Sequence, residues 1–199
     1  MTIQPYGIRK VVGSINAEGD AYWPAAMRRT YFEQQMLYDF IFSVRAGYFI
    51  RLAVEFGCGY GRMLPVLSEF ASEVIGIERD AELAAIAASL QPRYRICHVK
   101  ALSDVSLADK SVQLIVTYTV LQHLTDEECR QAIAQMKRIL DSNGRIIICE
   151  DTGNVSGSDY YQRTMDQYQD LFQMEMVGRA PRKFEDGRIV GQHMAFRWP

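Results

Sequence analysis

The chain has little of what marks metal-binding, secreted or membrane-spanning proteins. Its four cysteines, Cys58, Cys97, Cys129 and Cys149, show no CxxC spacing, which argues against a zinc cluster and fits reduced thiols in a cytosolic interior. Met1 to Lys10 lacks the apolar run of a secretory signal, and no uninterrupted apolar stretch is long enough to span a bilayer. A cytoplasmic protein with no membrane partner is the expectation. An excess of one charge is also missing. The net charge of −2 draws neither nucleic acid nor anionic membrane globally, so an anionic partner would have to be held by a local patch. Internal repeats, linkers and low-complexity tracts are absent.

What remains is an ordinary globular composition, 48% hydrophobic and 23% charged over 199 residues, enough for one domain spanning 1–199. The spacing of Met27, Tyr31, Leu37, Ile41, Val44 and Tyr48 predicts a helix from Pro24 to Tyr48, with Pro24 suited to a first helical position. An alternation follows: strand Leu52 to Phe56, helix Arg62 to Phe70, strand Val74 to Glu78, and an Ala-rich helix capped by Asp80. A short strand near Tyr94 to Val99 and a buried strand from Val112 to Tyr118 come next. A helix from Thr125 to Leu140 opens on a Thr125/Glu128 capping-box pattern. Asn143-Gly144 marks a turn into Arg145 to Cys149, whose consecutive apolar residues suit a central strand covered on both faces. Beyond a polar loop from Glu150 to Asp159, the pattern predicts a helix from Tyr160 to Phe172 and strands around Met174–Val177 and Ile189–Trp198. Asp186-Gly187 joins those two strands antiparallel. Strands alternating with helices imply an α/β protein built on a parallel sheet.

The most informative segment is Ala53-Val54-Glu55-Phe56-Gly57-Cys58-Gly59-Tyr60-Gly61-Arg62, a strand running into a glycine-rich turn. Glycines let a backbone turn sharply and approach a ligand closely. An acid two residues before the first glycine, and GxGxG spacing in place of GxGxxG, set it apart from the dinucleotide fingerprint. Arg62 also stands where that fingerprint needs Gly or Ala. This segment resembles the first motif of the class I S-adenosylmethionine-dependent methyltransferases. The resemblance implies a Rossmann-like three-layer sandwich with a seven-stranded, mostly parallel sheet whose last strand is antiparallel. It implies S-adenosyl-L-methionine as cofactor, Gly57, Gly59 and Gly61 as the turn around its methionine part, and Glu55 as polar support. Arg62 would reach the cofactor's carboxylate. Cys58 lies inside the loop and is counted among the cofactor-binding positions, its thiol read as packing and not as a nucleophile.

A second family feature is an acid ending the second strand, where it accepts hydrogen bonds from the ribose hydroxyls. Val74-Ile75-Gly76-Ile77-Glu78 supplies it, with Glu78 following Gly57 by 21 residues, the spacing of a strand-helix-strand unit. The segment Ser111 to Leu124 is similar to the family's fourth strand and its following turn. Two family carboxylates are missing, at Gln113 and Ala101, so adenine binding falls to the backbone near Leu102 and Ser103, to Asp104, or to apolar contact. Arg79 and Tyr118 complete the expected cofactor-binding set. By the same resemblance, 1–49 is a helical extension or lid, 50–150 the cofactor-binding core, and 151–199 the acceptor-side helix and hairpin.

Methyl transfer from a sulfonium needs alignment and exclusion of water more than covalent machinery, and a general base helps where the acceptor is a hydroxyl or ammonium. His123, Glu150 and Asp151 are predicted at C-terminal strand ends, where open α/β sheets place their sites. His123 and Asp151 are the catalytic candidates, imidazole being suited to proton transfer near neutrality. The turn histidine also has a structural reading. His98 and His193 read as packed or surface residues. Tyr22, Trp23 and Tyr31, with Arg28 and Arg29, form either a lid whose aromatics cover the sulfonium or an amphipathic helix packed on the sheet. Arg179, Arg182, Lys183 and Arg188 either hold an anionic acceptor or are solvated. The expected activity is methyl transfer to an oxygen or nitrogen of a small molecule, with no metal and no nucleic-acid partner. A nicotinamide-dependent oxidoreductase and a cofactor-binding pseudoenzyme are the alternatives.

Overall fold

The computed structural model describes residues 19–45, 47, 49–152 and 160–199, with side chains described from residue 28 onward. In chain order the elements are α1 (Gly19–Val44), β1 (Ile50–Phe56), α2 (Leu64–Ser68), β2 (Ala71–Glu78), α3 (Ala81–Leu90), β3 (Arg95–His98), β4 (Val112–Tyr118), a 3₁₀ turn (Leu121–His123), α4 (Asp126–Ile139), β5 (Leu140–Asp151), α5 (Met165–Phe172), β6 (Glu175–Lys183) and β7 (Ile189–Arg197). Seven strands form one sheet in the order β3-β2-β1-β4-β5-β7-β6. The first five pair parallel, and β7 runs antiparallel to both β5 and β6. The Rossmann-like expectation of a mostly parallel seven-stranded sheet with its last strand reversed is met.

Strand alternation sorts the core into two layers. Leu52, Val54 and Phe56 of β1 face α4 and α5 with Ile133, Met136, Tyr168 and Phe172. Ala53 faces the other side, among Leu37, Ile41, Met63, Leu64 and Ala87 of α1, α2 and α3 and their approaches. Both faces of the central strands are covered, which explains their nearly continuous apolar runs. Along residues 37–41 the N-terminal helix packs on the sheet. The aromatics Tyr22 and Trp23 lie outside the described side chains, and Tyr48 outside the described residues.

The caps act as their residue types predict. Asp80 accepts from the backbone N–H of Glu82 and Leu83, and Thr125 forms a full capping box with Glu128. Several boundaries differ from the sequence reading; β6, for one, runs on to Lys183 where a strand around Met174–Val177 was expected. α1 begins at Gly19, so Pro24 is its sixth residue and not its first, and its missing N–H leaves one carbonyl of the first turn without its i+4 donor. α2 starts at Leu64 with Pro65 in its first turn, because residues 57–61 are committed to the loop. β5 starts at Leu140, which pairs with Val112 before the register shifts to Leu114↔Arg145. Asn143-Gly144 therefore turns within a bulge, with Asn143 N–H donating to Asp141 Oδ1 at 2.9 Å. α5 begins at Met165 behind a Thr164/Gln167 capping box; residues 160–164 are drawn into extended contacts described below. Of the polar loop expected from Glu150 to Asp159, Glu150 and Asp151 belong to β5, and residues 153–159 lie outside the described residues.

Candidate active site

The C-terminal ends of β1, β2 and β4 lie level, with Phe56 opposite both Ile77 and Thr117, and the chain turns into the glycine loop there. Gly57 and Cys58 both donate their N–H to Ile77 O, at 2.8 and 2.9 Å. Positive φ angles of 69°, 56° and 84° at Gly57, Gly59 and Gly61 are the left-handed backbone that glycine adopts at little cost. Gly57 also needs its missing side chain for space, since a Cβ there would lie 2.6 Å from Val120 Cγ1. At Gly59 a Cβ would meet nothing within 4 Å among the described residues. The loop is closed on the Val120 side and open at Gly59.

Glu78, buried at the end of β2, spans two turns of chain. Its Oε2 accepts from Gly59 N–H at 2.7 Å and its Oε1 from Asp80 N–H at 2.8 Å. Carboxylate oxygens carry further lone pairs, so Glu78 retains acceptor capacity for ribose hydroxyls. Glu55 lies below the loop, and burial raises its carboxyl well above the ordinary range, with nearby Arg62 opposing and Glu78 adding to the shift. Its Oε2 has no hydrogen-bond partner among the described residues. Cys58 turns inward: a Cβ on Gly76 would stand 2.7 Å from its Sγ, and burial pushes its thiol far up. The thiol is a packing group, as its sequence context implied.

The other expected positions spread outward. Leu102 is buried in the core beside α4, so its backbone is what remains for an adenine. Ser103 Oγ donates to Asp104 Oδ1 at 3.3 Å. Arg79 reaches Glu128 at 3.2 Å on the surface. Gln113 accepts from Leu52 N–H at 3.0 Å, at the opposite end of β4 from the loop, so its departure from the family pattern does not touch the site. Tyr118 is buried beneath two guanidiniums, Arg62 at 4.8 Å and Arg182 at 5.3 Å from its ring centre.

The turn after β4 is held from both sides by residues that sequence reasoning placed elsewhere or missed. Glu150, fully buried, accepts from the N–H groups of Val120, Leu121 and Gln122, each at 3.2 Å, and from Thr117 Oγ1 at 3.0 Å. Arg163 takes the carbonyls, donating to Leu121 O and Leu124 O at 2.9 Å and to Asp126 at 2.6 Å. A carboxylate on the donors and a guanidinium on the acceptors satisfy a turn that has no ladder of its own. Glu150 is therefore an organiser of the turn and not a solvent-facing base. Tyr161 N–H adds a bond to Gln122 O at 2.8 Å, which ties this stretch to the turn ahead of the helix that starts at Met165.

Burial pushes Glu150 up to about 7 against the pull of its donors. A folded value above the ordinary 4.5 means its contribution is fully present below about 4.5 and is lost as pH rises through about 7. The melting-temperature advantage of wild type over Glu150→Gln is accordingly expected to shrink from pH 5 to pH 8 in thermal scans. An advantage that grows with pH contradicts this.

His123 ends the 3₁₀ turn with its ring 4.6 Å from that of Tyr160. Asp151 is fixed by Arg182, by Gln122 Nε2 at 3.5 Å, and through its own N–H to Gln122 Oε1 at 2.8 Å. Arg182 overturns the solvated-patch reading. It is 1% exposed and also pairs with Glu33 of α1 at 3.0 Å. Arg188 does stay outside, paired with Asp186. His193 is buried near Phe40 and Tyr118, and burial lowers its imidazole to about 4, with Arg182 adding to the effect. Among the described residues no group of three His, Cys, Asp or Glu side chains is placed to hold a metal ion.

Gly59's open face, the orphaned Glu55 oxygen and the Glu78 carboxylate fit a small polyhydroxylated cationic ligand such as S-adenosylmethionine. The strand order also bears on the alternatives: the dinucleotide fold runs 3-2-1-4-5-6, whereas here a reversed β7 stands between β5 and β6.

Comparison with known proteins agrees. Residues 54–148 match a family model described as a methyltransferase domain. A probable S-adenosylmethionine-dependent methyltransferase of Mycolicibacterium smegmatis is 31% identical over 98 residues, covering 49% of this chain and 37% of the relative. Of solved structures, a Leishmania major SAM-dependent methyltransferase has a TM-score of 0.75 at 16% identity, over 92% of this chain and 78% of that one. A SAM-bound amino pentose methyltransferase of Micromonospora echinaspora has a TM-score of 0.68 at 19% identity, over 88% of this chain and 96% of that one. Residues 54–148 are thus similar to a methyltransferase domain, and a probable S-adenosylmethionine-dependent methyltransferase is among the relatives of that stretch. The chain spans just over a third of the length of the first curated relatives it matches.

Proposed function

We propose that the chain transfers the methyl group of S-adenosylmethionine to an oxygen or nitrogen atom of a small-molecule acceptor. The observation that carries this is the glycine loop, open at Gly59 and tied by that residue's own N–H to Glu78. When bound, the cofactor supplies a methyl group already activated by the sulfonium. The residues then bind and orient. Gly57, Cys58, Gly59 and Gly61 form the cradle, with Glu55 behind it. Glu78 takes the ribose hydroxyls, Arg62 the carboxylate, and the backbone of Leu102 and Ser103 the adenine, while Arg79 borders the site and Tyr118 lies beneath it. Asp151 has an oxygen held by Arg182, so it orients the acceptor, and His123 takes the acceptor's proton. The amino pentose acceptor of the Micromonospora relative makes amino sugars the first class to test.

The same reading makes this a cytosolic enzyme, supported by four free thiols of which three are buried. No described helix is long and apolar enough to cross a membrane. Incubation with methyl-tritiated S-adenosylmethionine and a panel of hydroxylated and amino small molecules is expected to give acceptor-dependent transfer of label. Cofactor binding without transfer to any acceptor would favour the pseudoenzyme instead.

A further inference from the structure

Arg62 follows the glycine loop directly, yet the groups that hold it come from outside the loop. Two consecutive residues of α1 clasp it: the Glu33 carboxylate accepts from its guanidinium, and Gln34 Nε2 donates to its backbone carbonyl at 2.5 Å. The ring of Tyr118, 4.8 Å away, covers one face of the guanidinium. The other oxygen of Glu33 accepts from Arg182 at 3.0 Å and from Arg29 at 3.2 Å, and Arg182 continues to Asp151. Burial alone would push the Glu33 carboxyl up, but the guanidiniums of Arg62, Arg29 and Arg182 outweigh it and hold it below its ordinary range. Among the described residues the cluster therefore sets three cations, Arg29, Arg62 and Arg182, against two carboxylates, Glu33 and Asp151. Its surplus positive charge stands beside the loop, with Arg62 itself 18% exposed.

A flexible arginine at the mouth of a loop loses rotamer freedom when it grips a ligand. One already fixed by a carboxylate and an aromatic face has lost most of it beforehand, so less affinity is spent on ordering. We infer that Glu33 is a positioning residue for the anionic end of the cofactor: it holds Arg62 ready for that carboxylate and contributes nothing to the nucleoside end. This rests on the cofactor reading above. A merely structural Glu33 would pin α1 to the core and leave ligand discrimination untouched.

The test is isothermal titration with S-adenosylhomocysteine and 5′-methylthioadenosine, which share the nucleoside while only the first carries the amino-acid end. Wild type is expected to bind both, the first more tightly. Glu33→Gln preserves size and removes the charge. It is expected to weaken S-adenosylhomocysteine by about tenfold or more, since a charge-assisted contact loses its orientation, and to leave 5′-methylthioadenosine within about twofold, so that the ratio collapses. In an Arg62→Ala background Glu33→Gln should not change the ratio further. If Glu33→Gln fails to fold, Glu33→Asp, which withdraws the charge by one methylene, is read by the same ratio. An unchanged ratio in a folded variant, or equal weakening of both ligands, overturns the inference. Wild type binding neither ligand overturns the cofactor reading and the inference together.

Discussion

Gly59→Arg is expected to lower affinity for S-adenosylmethionine and S-adenosylhomocysteine by about a hundredfold or more, with the fold retained, since a side chain as large as arginine fills the close approach that a bare backbone allows. The φ of 56° costs a non-glycine residue about 1–2 kcal/mol. Among the described residues no clash adds to that, because a Cβ at this position meets none of them within 4 Å. The side chain instead projects into the open face of the loop. Gly57→Ala is the contrasting variant. Its φ of 69° carries the same backbone cost, and its Cβ would stand 2.6 and 2.7 Å from the two Val120 methyls. Valine is stiff at χ1, and the turn that carries it is held by Glu150 and Arg163, so it has little room to yield. The expected loss is about 2–4 kcal/mol, backbone strain and overpacking together. Urea melts and titrations on the two variants separate the effects: Gly59→Arg folds without binding, and Gly57→Ala is the less stable. Tight binding by Gly59→Arg would show that the ligand does not approach there.

Arg182→Ala is expected to destabilise the chain by about 3–5 kcal/mol, the range for removing one partner from a buried ion pair. Arg182 is 1% exposed and bridges Glu33 of α1 and Asp151 of β5. Truncation leaves Asp151 with Gln122 alone among the contacts described for its side chain, and leaves Glu33 to Arg62 and Arg29. Arg188→Ala, in the same basic run, should change stability by no more than about 0.5 kcal/mol, because its pair with Asp186 is on the surface and Arg188 is 73% exposed. Chemical denaturation of both variants provides the comparison. A loss below about 1 kcal/mol for Arg182→Ala would mean that the cluster is not the joint between α1, β5 and β6.

The elements that were legible in the sequence are those decided by local pattern. β4 was read residue for residue from its apolar run, and the Asp80 and Thr125 caps follow from side chains that bond the backbone two or three residues on. The glycine loop was legible because sharp turns and close approach restrict residue type so strongly. What stayed hidden depends on partners far along the chain. Arg182 is one of four cations that the sequence leaves as either acceptor-binding or solvated, since its partner Glu33 is 149 positions away. Glu150 read as a candidate base because nothing local shows that three amides of the preceding turn point at it. The delayed start of α5 had a signal that was not used, the Thr164/Gln167 box. The role of Arg163 in that region had none.

We propose that the loop between β1 and α2 binds S-adenosylmethionine and no nicotinamide dinucleotide. Isothermal titration of the purified protein with S-adenosylmethionine, S-adenosylhomocysteine, NAD and NADP tests it directly. Saturable binding of the first two ligands, with no heat of binding from the dinucleotides, is the predicted result. Binding of a dinucleotide alone would contradict the account.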